Sequence, residues 1–235
     1  MRPLISIIVP VLNEAGVIRQ RLEQLKRLPG PIEIIVSDGG SRDATPELAA
    51  PHCHRLVAAP RGRARQMNSG AAAAQGETLL FLHADTLFAA PHLIALTEVL
   101  AHERVQWGRF DVRLSGGSLS FRVIEHLINW RSHYSGVPTG DQAIFVRRHL
   151  FEAHGGYPDI ELMEDVALSK RLRAESWPYR VKAPPVVTSS RRWERYGVVR
   201  TVALMWALRA AYFLGVPPRR LRHFYEDRAP EDHGG

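Results

Sequence analysis

Two apolar runs of strand length flank a stretch of helical periodicity near the start of the chain, and this arrangement restricts the fold more than any other feature. Leu4 to Val11 is almost unbroken in apolar character. After the turn Asn13-Glu14-Ala15-Gly16, Ile18, Leu22 and Leu25 recur at helical spacing against Arg19, Gln20, Glu23 and Lys26. Pro29-Gly30-Pro31 stops that pattern, and Ile32 to Val36 is the second run. Strand, helix and strand in this order form a βαβ unit, whose strands lie parallel because the crossover helix returns the chain to the same end. Strands this apolar are covered by helices on both faces. The fold class is therefore α/β, with a Rossmann-like, mixed, mainly parallel sheet flanked by helices. In such sheets ligands bind beyond the carboxyl ends of the strands, so the polar residues that follow each apolar run are the candidates for chemistry.

Several acids stand at such places. The run Leu79–Leu82 ends in the segment Phe81–Thr86, FLHADT, which carries His83 and Asp85; Asp85 either serves a site or caps the next helix. The second strand opens into Ser37-Asp38-Gly39-Gly40-Ser41-Arg42-Asp43, where paired glycines permit close approach of a ligand or form an ordinary turn. Arg61, Arg63 and Arg65 cluster at the start of a helix running to Ala74. Arginines there oppose the helix dipole and one another, which points to a held anion such as a diphosphate, or else to a solvated basic face. Glu164 and Asp165 open another helix, with Asp165, Leu168 and Leu172 on one face. That carboxylate is either a partly desolvated base or a cap favoured by the dipole.

The remaining pattern predicts a short strand at Leu56–Ala58, a helix over Pro91–His102 and one half-exposed strand from Trp107 to Leu114, with Arg109, Asp111 and Arg113 outward. A helix over Ser118–Tyr134 puts Val123, Leu127 and Trp130 and then Ile124 and Ile128 on adjoining rows. A strand at Ala143–Val146 and short strands near Tyr179–Val181 and Val186–Thr188 follow. Val198 to Val216 is strongly apolar but carries Arg200 and Arg209 on nearly opposite faces, which weighs against a membrane span. Packing on the domain, or lying in a membrane interface with Trp206, Tyr212 and Phe213 as anchors, suits it better. The expected organisation is one domain over 1–228, divided near 103 and 195, with a disordered tail at 229–235.

A chain of 235 residues with 45% hydrophobic content can bury a full core. The lone Cys53 excludes an internal disulfide framework and a cysteine-built zinc site. With no signal sequence ahead of the first strand, the expected location is cytoplasmic. A net charge of +7 suits anionic partners, but the arginines are scattered rather than gathered in a stripe, so nucleic acid is not expected as a partner.

Taken in order, SIIVPVLNE at 6–14, SDGGSRDAT at 37–45 and the acids Asp38, Asp85, Asp141 and Asp165 closely resemble family 2 glycosyltransferases of the GT-A fold, from about Ser6 to Trp193. A narrower likeness is to a small single-domain bacterial subgroup associated with arsenosugar biosynthesis. The resemblance implies an inverting transfer of sugar from a nucleotide-diphosphate donor, typically of UDP, to an acceptor hydroxyl, with Mg²⁺ or Mn²⁺ as cofactor. It implies that Pro10, Asn13 and Glu14 line the nucleotide pocket, that Asp38 meets the base, and that Arg65 and Asn68 lie near ribose and diphosphate. Asp85 corresponds to the last acid of the D-x-D metal motif, Glu164-Asp165 to the pair whose aspartate is the catalytic base. Gly140-Asp141-Gln142 and Arg191-Arg192-Trp193 correspond to acceptor-side segments. His83 departs from the pattern, standing where the first acid of D-x-D is expected. Imidazole suits Mg²⁺ less well than carboxylate does and tolerates Mn²⁺ better. Asp85 is then the expected direct ligand, with His83 on the donor or structural. Two other readings stay open. One is a polyprenyl-type lipid-phosphate transferase lying peripherally on the inner membrane face through residues 198–225, and the other a catalytically weak nucleotide-sugar-binding module. A nucleotidyltransferase would need a glycine-rich loop where Asn13-Glu14-Ala15-Gly16 stands.

Overall fold

The structure, a computed structural model, describes residues 5–226 apart from the side chains of Arg192, His223 and Glu226; the expected tail at 229–235 lies outside the described residues. The first half runs β1 (Ile5–Val11), α1 (Ile18–Lys26), β2 (Ile32–Asp38), α2 (Thr45–Ala49), β3 (Arg55–Ala58), α3 (Arg63–Ala73), β4 (Thr78–Phe81) and α4 (Ala90–Leu100). The second continues with β5 (Trp107–Arg109), β6 (Val112–Leu114), α5 (Leu119–Ser135), β7 (Phe145–Arg147), α6 (Arg148–Ala153), α7 (Glu164–Glu175), β8 (Tyr179–Arg180) and β9 (Val186–Thr188). It ends in α8 (Arg191–Tyr196), α9 (Val198–Phe213) and α10 (Pro218–Glu226).

Seven strands form one sheet in the order β3-β2-β1-β4-β7-β5-β8. β3, β2, β1 and β4 are mutually parallel, whereas β7 runs antiparallel to both β4 and β5. The sheet is thus mixed and mainly parallel, as the sequence predicts. Its strands alternate between two cores. Ile7, Val9, Ile34 and Val36 face one layer with Ile18 and Leu22 of α1 and Leu93 and Leu96 of α4. Ile8 and Ile35 face the other, with Ala64 and Met67 of α3 and Leu168 and Leu172 of α7. Burial on both faces explains the continuous apolar runs. α3 is built from small residues because it lies almost on β1: a Cβ added to Gly70 would come within 2.5 Å of Ile8 Cγ2.

One expectation is corrected. Trp107–Leu114 is not one strand, because it breaks at Phe110–Asp111. β5 stays in the main sheet, and β6 pairs instead with β9 in a second, two-stranded sheet. Arg109 accordingly points inward and is only 2% exposed, ion-paired with Asp111 and donating to the carbonyl of Phe110. A buried guanidinium needs such partners. Among the described residues, no helix is long and apolar enough to cross a membrane.

Candidate active site

The carboxyl ends of β1, β2 and β4 open at one edge of the sheet. Asn13, with φ of 55°, turns the chain after β1, and its Oδ1 accepts the backbone N–H of Arg42 at 2.9 Å. The Glu14 N–H donates to Thr45 Oγ1 at 2.7 Å, so the β1 and β2 loops are stitched together. Pro10 is half-buried on β1 opposite Ser37. Asp38 accepts from the N–H groups of Gly40 and Ser41, holding the glycine turn open toward the edge. Gln66, which no sequence motif marks, crosses from α3 and donates to the carbonyls of Val11 at 2.6 Å and Ser37 at 3.2 Å, tying the two strand ends together.

The FLHADT turn brings His83 and Asp85 to the same edge. Asp85 lines a cleft of about 210 Å³ with Val17, Arg21, Ser115, Thr188 and Arg191. Burial lowers the pKa of the Arg21 guanidinium, with Asp85 opposing and Arg191 reinforcing. His83 lies against the Gly140 turn: a Cβ on Gly140 would sit 2.7 Å from His83 Nε2 and 3.8 Å from Asp165 Oδ2. Glycine is therefore the residue that lets the imidazole and the turn meet. Burial, and then Arg63, push His83 down to about 3, and its buried Nε2 has no partner. The ring is neutral at physiological pH.

Asp165 completes this contact. Its Oδ2 accepts the Gly140 N–H at 2.8 Å and its Oδ1 the Val166 N–H at 2.7 Å, which fixes the carboxylate plane. Glu164 beside it is buried, and burial together with the Asp165 charge raises its pKa to about 7, against the pull of Arg63. Arg63 is accessible to solvent yet ringed by protein. Burial lowers its pKa, and Glu164, Tyr225, Asp165 and Asp85 outweigh that and raise it. This arginine links the acids of FLHADT and of α7. Burial, reinforced by Asp165 and Glu164, pushes the Tyr157 phenol up. Asp141 donates nothing and accepts from Thr139 Oγ1 at 2.6 Å; burial raises its pKa, while Thr139, Arg131 and Arg209 oppose. Burial and then Arg209 lower Arg131 to about 10.

Other residues of the expected site are engaged in the protein's own contacts. Arg65 Nε pairs with exposed Asp159 at 2.8 Å, and Asn68 exchanges two hydrogen bonds with the backbone of Tyr157. Both clamp the loop after α6, whereas Arg63 is under the electrostatic pull of Glu164, Asp165 and Asp85. Gln142 is fully buried and spends its amide on Ser132, Asn129 and the Phe110 carbonyl, so it holds the turn to α5. Trp193 is half-buried against Leu114, Phe121 and Ile124 as packing, while Arg191 reaches the cleft. The Arg192 side chain lies outside the described part.

Among the described residues, no three His, Cys, Asp or Glu side chains gather into a metal cage. A divalent ion of the magnesium kind is commonly held by one or two carboxylates plus substrate phosphates. Asp85 fits that donor set; with the neutral, unpartnered His83 two residues away, the turn offers no second carboxylate.

Residues 6–156 match the family model of Glycosyl transferase family 2. The chain belongs to that family. The PGL/p-HBAD biosynthesis glycosyltransferase of Mycobacterium tuberculosis is 34% identical over 170 residues, 66% of this chain and 63% of the relative. The beta-monoglucosyldiacylglycerol synthase of Nostoc sp. is 25% identical over 226 residues, 86% of this chain and 47% of the relative. The family 2 chain thus spans about half to two thirds of the length of these relatives. Among solved structures, a mannosyltransferase from Pyrobaculum calidifontis in complex with GDP-Man and Mn²⁺ aligns with a TM-score of 0.60 at 25% identity, covering 80% of this chain and 57% of that one. S. aureus TarS in complex with UDP-GlcNAc aligns at 0.64 and 16% identity, covering 79% and 58%. The fold is GT-A.

Proposed function

We propose that this family 2 glycosyltransferase moves a sugar from a nucleotide-diphosphate donor to an acceptor hydroxyl with inversion. The observation that carries the reading is the Asp165 carboxylate, fixed by the Gly140 and Val166 N–H groups, with Arg63 under the electrostatic pull of Glu164, Asp165 and Asp85. A base and a counter-charge for a leaving diphosphate are then within one site. Asp165 takes the acceptor proton as the oxygen bonds to the anomeric carbon; the bond from that carbon to the diphosphate breaks, its electron pair leaving with the phosphate. Arg63 offsets the developing charge electrostatically. Asp85 would hold a divalent ion, as with the Mn²⁺ of the Pyrobaculum relative, and such an ion supplies further charge neutralisation on the diphosphate. The Asn13–Glu14 and Asp38–Ser41 loops form the nucleotide side. Asp141 with Arg131 and Arg209 forms the acceptor side.

Asp165→Asn tests this. Donor turnover, as transfer or hydrolysis, is expected to fall roughly 10²–10⁴-fold, the usual worth of a positioned base, while stabilisation by bound nucleotide persists. Turnover at the native rate in the variant would sink the assignment, and native protein that turned over no donor with any metal would favour a binding module. A lipid-linked acceptor at the inner membrane face is the second reading. It is supported by the exposed apolar helices beside Asp141 and by the diacylglycerol named for the Nostoc relative.

A further inference from the structure

Apolar exposure is concentrated on two neighbouring helices. On α5, Leu119, Val123, Leu127, Trp130 and Tyr134 are all exposed and recur every three or four residues, making a single stripe; Phe121 and Ile124 are buried on the opposite side. On α9, Val199, Trp206 and Phe213 follow seven residues apart, with exposed Ala203, Ala207 and Ala210 filling the same outer face opposite buried Thr201 and Leu208. The two helices adjoin, because Val198 and Val202 of α9 pack on the cluster of Phe121 and Ile124. Trp130 is 54% and Trp206 60% exposed, a large loss of hydrophobic stabilisation for a face meant to meet water.

The charge on this surface identifies its occupant. Among the described residues, the exposed ionisable side chains of α5 and α9 are His126, His133 and Arg200, with no acid among them. Arg195 of α8 and Arg220 of α10 are exposed, Arg219 of α10 pairs with Glu161 at 3.7 Å, and Glu194 is engaged by Ser190 Oγ at 2.6 Å. Two copies stacked through α5 and α9 would set Arg200 and the two histidines against their like, with no exposed acid on either helix to answer them. An anionic bilayer answers both features: acyl chains accept the apolar stripe, indole and phenol rings sit at headgroup level, and arginines meet the phosphates. The inner sides of these same helices carry Arg131 and Arg209 toward Asp141. Docking would therefore set the acceptor end of the cleft beside the membrane.

We propose that the outer faces of α5 and α9 together form a docking surface for a bilayer containing anionic phospholipid. This deepens the lipid-acceptor reading above, and its test does not depend on turnover. The native chain is expected to float with phosphatidylglycerol/phosphatidylcholine vesicles and not with phosphatidylcholine alone, with partial release at high salt. Brominated phosphatidylcholine mixed into those vesicles is expected to quench its tryptophan emission. The pair Trp130→Glu and Trp206→Glu should lower vesicle partition about tenfold or more, whereas Leu56→Glu, exposed on the β3 edge strand, should leave it unchanged. If the glutamate pair fails to fold, as judged by circular dichroism, the pair Trp130→Phe and Trp206→Phe decides instead: bromolipid quenching should largely disappear while flotation persists. Failure to float with anionic vesicles would overturn the proposal, as would equal partition of the glutamate pair. So would self-association in lipid-free buffer that the same substitutions disperse, which would assign the face to a second copy. Donor hydrolysis measured in parallel separates the two readings, since a chain that hydrolyses donor but ignores vesicles loses only the docking surface.

Discussion

At the scale of single residues, Glu164 and Asp165 show how burial distributes roles between adjacent acids. Asp165 is half-buried and spends its two oxygens on backbone N–H groups, whereas Glu164 has a buried side chain beside that charge and retains its proton to about pH 7. The sign for stability follows from that shift. Between the ordinary value of 4.5 and about 7, the native state holds a proton that the unfolded chain has released, so Glu164 destabilises the fold increasingly as pH rises through this window. The shift corresponds to a cost on the order of 3 kcal/mol at high pH. Glu164→Gln should therefore raise the thermal midpoint above that of the native chain at alkaline pH, with the difference closing as pH falls below the ordinary glutamate range. A difference independent of pH would show that the proton is not what matters. Neither the raised pKa nor the fixed carboxylate is legible in the letters Glu-Asp, because both depend on the Gly140 turn packing against α7.

At the scale of elements, α3 separates what spacing can and cannot reveal. The sequence placed three arginines at its start and a glutamine and asparagine within it, and successive helical residues are turned by about 100°, so Arg63 and Arg65 cannot face the same side. Arg63 is under the electrostatic pull of Glu164, Asp165 and Asp85, and Arg65 pairs with Asp159 at the surface. Arg63→Gln should weaken nucleotide-sugar binding roughly 10–100-fold, the usual worth of a lost charged hydrogen bond. Arg65→Gln should leave that affinity in place and cost at most about 1 kcal/mol of stability, as exposed ion pairs do. Isothermal titration with donor and a denaturant melt read the two effects separately; equal losses of affinity would argue that both arginines serve the donor. α5 poses the converse problem. Two adjoining apolar rows fit its periodicity, and the structure turns Ile124 and Ile128 inward while Val123, Leu127 and Trp130 face out. Only the position of β6 and α9 beneath the helix selects the row.

At the scale of the whole molecule, residues far apart in sequence meet because β4 and β7 are neighbours. β7 runs antiparallel to β4, so the Gly140 turn just before it reaches the edge where FLHADT ends. His83, Gly140 and Asp165 thereby come from three separate segments to one point. A site assembled in this way belongs to the native state alone, and a donor that occupies it raises the apparent stability. In a thermal-shift series of UDP-, GDP- and dTDP-sugars with and without Mn²⁺, at least one donor is expected to stabilise the chain, with a larger shift when Mn²⁺ is present. No shift from any of them would count against the donor site.

Local pattern determined the βαβ start, the mainly parallel sheet and the strand ends that carry Asp38 and Asp85, since hydrophobic periodicity and turn chemistry act over a few residues. The family followed from motifs in a fixed order. Tertiary packing decided the rest: that Trp107–Leu114 serves two sheets, that Gln142 and Asn68 hold loops, that Arg63 is coupled to the acids of FLHADT and α7, and that α5 leaves tryptophan exposed. Each of those outcomes depends on which surface lies opposite a side chain, and a neighbour distant in sequence supplies that surface.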